Sequence, residues 1–143
     1  MQLKVPGYLI ISILCIMTAF SAGIPPEIAI QWNQWEHTLK SKKKYEKQPA
    51  DVDIIFKGPN GESMRTHSFS DDGKVYRFRA AFPAPGKWTW VSTCNNMKDQ
   101  GLQNKSGEVI VVPYSGENSL YSHGDLKVSD DQRYLVHADG TPF

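Results

Sequence analysis

The chain has 143 residues, of which 40% are hydrophobic and 22% charged. At about 100–200 residues per domain, this length predicts one domain and a small remainder. The composition excludes a collagenous chain, a coiled coil, a disulfide-dense miniprotein and a wholly disordered protein. Sixteen Lys and Arg residues nearly balance 15 Asp and Glu residues. General binding to nucleic acid or to a membrane surface therefore lacks its electrostatic driving force.

The N-terminus has the three parts of an export signal. Lys4 lies in a short first region, residues 8–20 are mostly apolar, and small residues follow at positions 21–23. We predict that residues 1–23 are a signal peptide, cleaved after Ser21 or after Gly23. The alternative is a membrane anchor, but residues 8–20, as a helix rising about 1.5 Å per residue, would not cross a bilayer core of about 30 Å. A cleaved signal implies a secreted or periplasmic protein with no membrane contact after processing.

Removal of the signal peptide would also remove Cys15 and leave Cys94 as the single cysteine. No internal disulfide could then form, so the hydrophobic core must stabilise the fold unaided. Cys94 follows a strand-like segment and has no histidine within twenty positions along the chain. We therefore predict a small, half-buried residue at a strand end rather than a nucleophile.

From residue 28 onward, apolar and polar side chains alternate with the period of two that is typical of β-strands. Turn signals such as Asn60-Gly61 and Asp72-Gly73 separate the alternating segments, because Asn and Gly accept the positive φ of tight turns. The six predicted strands are residues 34–40, 51–57, 62–68, 74–82, 87–93 and 106–112.

Six short strands, each with one apolar face, are what a sandwich of two antiparallel sheets requires. We predict an all-β fold, an immunoglobulin-like antiparallel β-sandwich over residues 24–113. Strands do not alternate with helices, which excludes a doubly wound sheet. A closed small barrel remains the alternative, because the pattern of one sequence does not distinguish closure from stacking.

The C-terminal part of the chain has a different character. Residues 114–125 are polar and have the composition of a linker. Residues 126–143 then contain two apolar segments, and Asp139-Gly140 predicts a hairpin turn whose return strand would begin at Phe143. We expect residues 126–143 to be the start of a truncated C-terminal domain, and the chain to be an N-terminal fragment of a longer protein.

Four pieces of the sequence together resemble a known family. They are Trp35-Glu36, Tyr76 followed by Phe78-Arg79, the run Pro85-Gly86-Lys87-Trp88-Thr89-Trp90, and residues Ser106 to Pro113. They are similar to domain of unknown function 5060, an N-terminal β-sandwich of bacterial secreted proteins that precedes an apiosidase-like glycoside-hydrolase (β/α)8 barrel. The terminal residues Tyr134 to Phe143, with Ala138-Asp139-Gly140-Thr141-Pro142-Phe143, resemble the start of that barrel. The resemblance covers about residues 28–143 and implies that residues 126–143 include the first short β segment of that barrel. The barrel itself would be the partner of the sandwich.

No segment of the sequence carries a recognisable catalytic or metal-binding motif. The histidines are scattered, and we interpret them as surface or strand-face residues: His37, His67, His123 and His137. A glycosidase needs two acids about 5–10 Å apart on separate rigid elements, which adjacent turn acids such as Asp71-Asp72 and Asp130-Asp131 do not provide. We predict no catalytic, cofactor-binding or metal-binding residue and no enzymatic activity in this chain.

Two groups of side chains nevertheless suggest ligands. Trp88 and Trp90 alternate on one strand and could form a platform for sugar rings, but turning them outward would place Lys87 in the core, so we predict that both are buried. Arg77 and Arg79 are predicted to face solvent, with their stems over the sheet and one aromatic contact.

A cluster of lysines begins at the end of the first predicted strand and continues towards the second. We predict that it is a solvated loop, and the alternative is that it binds an anionic polysaccharide or an anionic surface. It comprises Lys40, Lys42, Lys43, Lys44 and Lys47.

These observations favour a non-catalytic accessory β-sandwich domain of a secreted glycoside hydrolase, which would support the catalytic barrel or its substrate cleft. The alternatives are a carbohydrate-binding module that grips polysaccharide directly and a cell-surface adhesion or structural sandwich. The first hypothesis expects an apolar patch near residues 134–143, whereas the second expects the domain to bind glycans.

Overall fold

The computed structural model describes residues 26–143, and the predicted signal peptide lies outside them. The described part contains ten strands and one short helix. They are β1 (Glu27–Ile30), β2 (Gln34–Lys40), β3 (Val52–Lys57), β4 (Ser63–His67), β5 (Phe69–Ser70), β6 (Val75–Ala81), β7 (Gly86–Cys94), β8 (Ser106–Val112), α1 (Ser119–Ser122), β9 (Leu126–Val128) and β10 (Leu135–His137). No helix within residues 26–143 is long and apolar enough to cross a membrane.

Eight strands form two sheets. The larger sheet has the order β1-β8-β7-β3-β4, and the smaller has the order β2-β6-β5. Strands β3, β7 and β8 pair antiparallel at the centre of the larger sheet, with Phe56 opposite Trp90 and Trp88 opposite Val109. β4 is an edge strand, and its side chains alternate between exposed and half-buried. The alternation of side chains along each central strand therefore directs one apolar row to the core.

The core lies between the two sheets. Trp35 of β2 and Phe78 of β6 are buried against Phe56 of β3, and the ring centroids of Trp35 lie 6.1 Å from Phe56 and 5.8 Å from Phe78. Both pairs meet edge to face, the geometry that aromatic rings prefer. One contiguous apolar cluster thus joins both sheets, and the prediction of an all-β sandwich, rather than a closed barrel, is confirmed.

The structure corrects the prediction that every pair is antiparallel. β1, which the sequence pattern missed, pairs parallel with β8, and Glu27 lies opposite Val109. The short β5 was missed as well and pairs antiparallel with β6. β1 has only four residues and β5 only two, which is too few for an alternation of apolar and polar side chains to be recognised. In addition, the residues of β8 that pair with β1 lie 82 positions later in the chain.

The segment after β8 has more structure than its composition suggests. Within the predicted linker, Asn118 caps the single turn of α1, and its side chain accepts a hydrogen bond from the backbone N–H of Leu120 at 3.0 Å. β9 and β10 then pair antiparallel into a two-stranded ribbon. The predicted turn at Asp139-Gly140 is present, because Gly140 has φ +90° and its N–H donates to the carbonyl of His137. The return begins one residue earlier than predicted, at Pro142.

Candidate functional site

The two tryptophans of β7 belong to the core and form no surface platform. Trp88 is fully buried and Trp90 is 5% exposed. The indole N–H of Trp88 donates to the carbonyl of Ala84 at 2.8 Å, so its polar atom is satisfied. A Cβ added to Gly107 would lie 2.7 Å from the ring of Trp90, so the ring packs directly on the backbone of β8. The prediction that both rings are buried is therefore confirmed.

Cys94 lies at the end of β7, as predicted, but it is buried rather than half-buried. Burial raises the pKa of its thiol, which disfavours the thiolate that a nucleophile requires. Its Sγ lies 3.8 Å from the side-chain oxygen of Asn95. The environment of Cys94 is thus that of a structural cysteine.

The histidines are paired with acidic or backbone oxygens, and two of them lie together in a way that their spacing did not suggest. His37 contacts Glu27 at 2.7 Å, and its ring lies on the inner face of β2, 5.0 Å from the ring of Trp90. His67 contacts Asp53 at 2.6 Å at the exposed edge of the larger sheet. The rings of His123 and His137 lie 5.3 Å apart, and His137, a residue of β10, is buried rather than at the surface. Among the residues described, however, no group of three His, Cys, Asp or Glu side chains could hold a metal ion.

The His123–His137 pair is part of a hydrogen-bonded turn. Nδ1 of His123 lies 2.7 Å from Oδ2 of Asp139, and Nδ1 of His137 lies 3.0 Å from the carbonyl oxygen of Gly124. The hydrogen bonds from His123 and from the N–H of Thr141 hold the pKa of Asp139 well below its usual range. These contacts join α1 to the ribbon and keep the turn at residues 139–141 in place.

The adjacent acids have structural partners. Asp72 accepts hydrogen bonds from the backbone N–H groups of Lys74 and Val75 at 2.8 and 2.7 Å, and these bonds lower its pKa. Asp71 pairs with Arg77. Ser129 Oγ donates to Asp131 at 2.6 Å within the turn before β10. Asp72 and Asp131 therefore stabilise turns, and the two acids of each adjacent pair do not face each other across a cleft.

A buried carboxylate that the sequence analysis missed lies in the loop after β7. Asp99 is fully buried and accepts hydrogen bonds from Ser41 Oγ (2.5 Å), Tyr45 Oη (3.0 Å) and the N–H groups of Lys42 (3.1 Å) and Gly101 (2.9 Å). Burial by itself would raise the pKa of Asp99, but these hydrogen bonds outweigh it and lower the pKa.

Asp99 explains why the basic loop holds a fixed shape. The loop of residues 41–45 follows β2, and three of its groups donate to this one carboxylate. Lys42, Lys43 and Lys44 are exposed, and Lys44 lies 3.8 Å from Glu46. The backbone of the loop is thus fixed from below while its lysines extend into solvent, in agreement with the prediction of a solvated loop.

The two arginines of β6 face solvent, as predicted. Arg79 donates to Glu36 at 2.7 Å and lies over the ring of Phe69 at 4.8 Å from its centroid. Arg77 pairs with Asp71 and lies 3.8 Å from Glu36. The outer face of the smaller sheet therefore carries arginines whose charges are compensated.

A solvent-open groove of about 330 Å³ lies between that outer face and helix α1. Its lining residues are Trp32, Gln34, Arg79, Ala80, Ala81 and Tyr121. Two aromatic side chains, a guanidinium and a primary amide thus surround one concave surface, the combination of apolar area and a few polar groups that is typical of ligand sites.

Trp32 has an unusual backbone conformation. It lies between β1 and β2 and has φ +64°, a left-handed conformation that costs a bulky residue roughly 1–3 kcal/mol. Its N–H donates to the carbonyl of Phe82 at 3.0 Å, and the neighbouring Gln31 N–H donates to Val112 at 2.9 Å. A Cβ added to Gly124 would lie 2.6 Å from the indole, so the ring also packs against the segment after α1. Contacts on both sides therefore hold the strained turn.

The ribbon exposes a second apolar surface, which we call the ribbon face. It comprises Leu126, Val128, Leu135 and Phe143, which are 42–68% exposed. Leu135 lies directly opposite Val128, and alternation along β9 places Leu126 on the same side. The ring of Phe143 packs against His137, whose position opposite Leu126 extends this side of the ribbon.

Comparisons with known proteins support the fold and the resemblance. The crystal structure of a protein from Bacteroides vulgatus ATCC 8482, described as a putative glycoside hydrolase, is similar with a TM-score of 0.65 and 21% sequence identity. The similarity covers 83% of this chain but only 21% of that protein, so the chain spans about a fifth of its length. A search of curated proteins found no match. Residues 29–95, which run from β1 to just beyond β7, match the family described as domain of unknown function 5060, and the resemblance seen in the sequence is confirmed over that range.

Proposed function

We propose that residues 24–113 are a non-catalytic accessory domain of a secreted glycoside hydrolase, that residues 126–143 begin its catalytic domain, and that the ribbon face packs against the remainder of that catalytic domain. The observation that carries the proposal is the ribbon face itself, because four large apolar side chains of one short ribbon are exposed together. Contiguous exposed apolar surface on a folded domain is typical of an interface. The accessory role agrees with a similarity that covers 21% of a longer protein described as a putative glycoside hydrolase.

The sandwich has the rigidity that such a support needs. Its aromatic core joins both sheets, while Asp99 and the turn at Asp139 fix the loops that leave them. The acids and histidines reported above are engaged in turns and surface pairs. These side chains therefore stabilise the fold. They are not arranged as a proton donor and a nucleophile on opposite sides of a cleft, which glycoside hydrolysis requires.

The proposal is tested on the full-length product of the gene, once the coding sequence beyond residue 143 has been read. Leu135→Asp would place a charge in the ribbon face, and it should lower the Tm of the catalytic domain because an unpaired charge is costly to bury. Each kcal/mol lost lowers Tm by about 2–4 °C in domains of 150–250 residues. Val91→Asp is the matched control, because Val91 is 39% exposed on the outer face of the larger sheet.

An equal effect of both substitutions, or no effect of Leu135→Asp, would contradict packing at the ribbon face. A coding sequence without a catalytic domain after residue 143 would contradict the accessory role itself. Secretion is part of the same proposal, and it rests on the export-signal pattern of residues 1–23.

A further inference from the structure

We infer that the groove lined by Trp32 and Tyr121 binds a neutral oligosaccharide made of pyranose rings. The inference deepens the proposed function and rests on it for carbohydrate as the ligand class. The site itself is argued from the groove. Nothing in the tryptophan pattern of the sequence pointed to it, because the pattern drew attention to Trp88 and Trp90, which are buried.

The aromatic side chains supply the first part of the argument. Trp32 and Tyr121 come from different elements, the β1–β2 turn and α1, and both line the same groove. Tyr121 is 38% exposed, and its ring packs at 5.5 Å against Tyr114, which supports it from one side. Aromatic rings offer large, rigid contact area at low entropic cost, and the C–H face of a pyranose ring is apolar enough to pack on them.

The polar groups supply the second part. Gln34 offers two donors and an acceptor, and Arg79 offers donors in a planar fork, the groups that recognise vicinal hydroxyls. The guanidinium charge is compensated by Glu36 at 2.7 Å, so the groove has no free positive charge to attract phosphate or sulfate groups. A ligand rich in hydroxyls and without charge therefore matches this lining better than an anion does.

The backbone supplies the third part. The left-handed conformation of Trp32 is held by the hydrogen bond to Phe82 and by packing against Gly124, so the indole keeps one position before any ligand arrives. Strained residues that the surrounding structure holds in place are concentrated at ligand sites. Because the groove is open, a chain of several sugar units could pass through it without being enclosed.

Tryptophan fluorescence gives a selective test. The chain has four tryptophans, and Trp35, Trp88 and Trp90 are at most 7% exposed, whereas Trp32 is half-buried beside the groove. Acrylamide should therefore quench mainly Trp32. We expect cellohexaose, xylohexaose or mannohexaose to protect Trp32 from quenching, with a Kd of about 1 mM or tighter by calorimetry.

The variants assign the binding to the groove. Tyr121→Ala removes an exposed ring and should weaken binding at least about tenfold, as should Trp32→Ala. Gln34→Ala serves as a second exposed variant in case Trp32→Ala disturbs the packing on Gly124. Tyr134→Ala is the matched control, because Tyr134 is a 55% exposed tyrosine on the ribbon, outside the groove, and it should leave Kd unchanged.

Two results would overturn the inference: no binding of any of the three hexasaccharides, or binding that Tyr121→Ala and Gln34→Ala leave intact. The ribbon variant Leu135→Asp separates this inference from the proposed function. Leu135→Asp should leave sugar binding unchanged. If Leu135→Asp does not lower the Tm of the catalytic domain, only the interface is refuted. If the groove variants still bind the sugars as tightly as the wild type, only the groove is refuted.

Discussion

Replacing Asp99 by Ala should strongly destabilise the protein. The carboxylate oxygen Oδ1 accepts from the N–H groups of Lys42 and Gly101, and Oδ2 accepts from the hydroxyls of Ser41 and Tyr45. The two hydroxyls can rotate to other acceptors, but the two backbone donors would lose their acceptor, the N–H of Gly101 in a buried place and that of Lys42 in a partly buried one. Each buried donor left unpaired costs about 1–3 kcal/mol, so the free energy of unfolding should fall by roughly 2–6 kcal/mol.

Asp99→Asn should cost clearly less than Asp99→Ala. The amide oxygen can still accept from Lys42 and Gly101, and the amide N–H groups can donate to the hydroxyls once these rotate. Urea unfolding followed by tryptophan fluorescence measures all variants, with exposed Asp130→Ala as the control. Equal stabilities of wild type and Asp99→Ala, or an Asn variant as unstable as the Ala variant, would refute this account of the carboxylate.

The same residue predicts a pH dependence. The folded pKa of Asp99 is lowered, and an unfolded Asp has a pKa of about 3.9. The stability that the ionised group contributes is therefore fully present above about pH 4 and is lost as the pH falls through the folded pKa. The stability difference between wild type and Asp99→Asn should shrink as the pH is lowered from about 5 to about 2, and a constant difference would contradict the assignment.

Three further outcomes are expected. Trp88→Ala should lower the free energy of unfolding by about 3–5 kcal/mol because the ring is fully buried, and a loss below about 1 kcal/mol in urea unfolding would contradict its place in the core. N-terminal sequencing of the exported protein should find a start between Ala22 and Ile24, and retention of Met1 would contradict the signal peptide. Residues 24–143 should show no activity on aryl glycosides or polysaccharides, and turnover abolished by changing an acid within them would contradict the accessory role.

The alternation of side chains was sufficient to predict most of the sandwich. Strand β8 was predicted with its observed bounds, and β6 and β7 to within one residue at each end, because their apolar faces are buried and their other faces are polar. β1 was missed because its pairing is parallel and distant along the chain, and neither property leaves a local pattern. Local periodicity thus identifies a strand with one buried face, but it does not identify the strand's neighbour.

The sequence contains no comparable local pattern for the residues that fix the loops or line the groove. Asp99 lies in a polar loop, and its burial depends on Ser41 and Tyr45, more than fifty residues earlier. The local sequence around Trp32 does not predict its left-handed backbone, because contacts with Phe82 and Gly124 impose that conformation. Such sites arise where separate segments meet, and only the folded chain brings those segments together.

The parallel pairing of β1 with β8 sets an order of events during synthesis. β1 leaves the ribosome early, but its partner strand is complete only at residue 112. At about 5–20 residues per second, the interval between residues 30 and 112 is roughly 4–16 s. Throughout that time Ile28 and Ile30 belong to an unpaired strand, the kind of segment that holdase chaperones recognise and that aggregates when left uncovered. β1 is thus the first strand to be synthesised but among the last to pair. A nascent chain that stops before residue 106 lacks the strand with which β1 pairs.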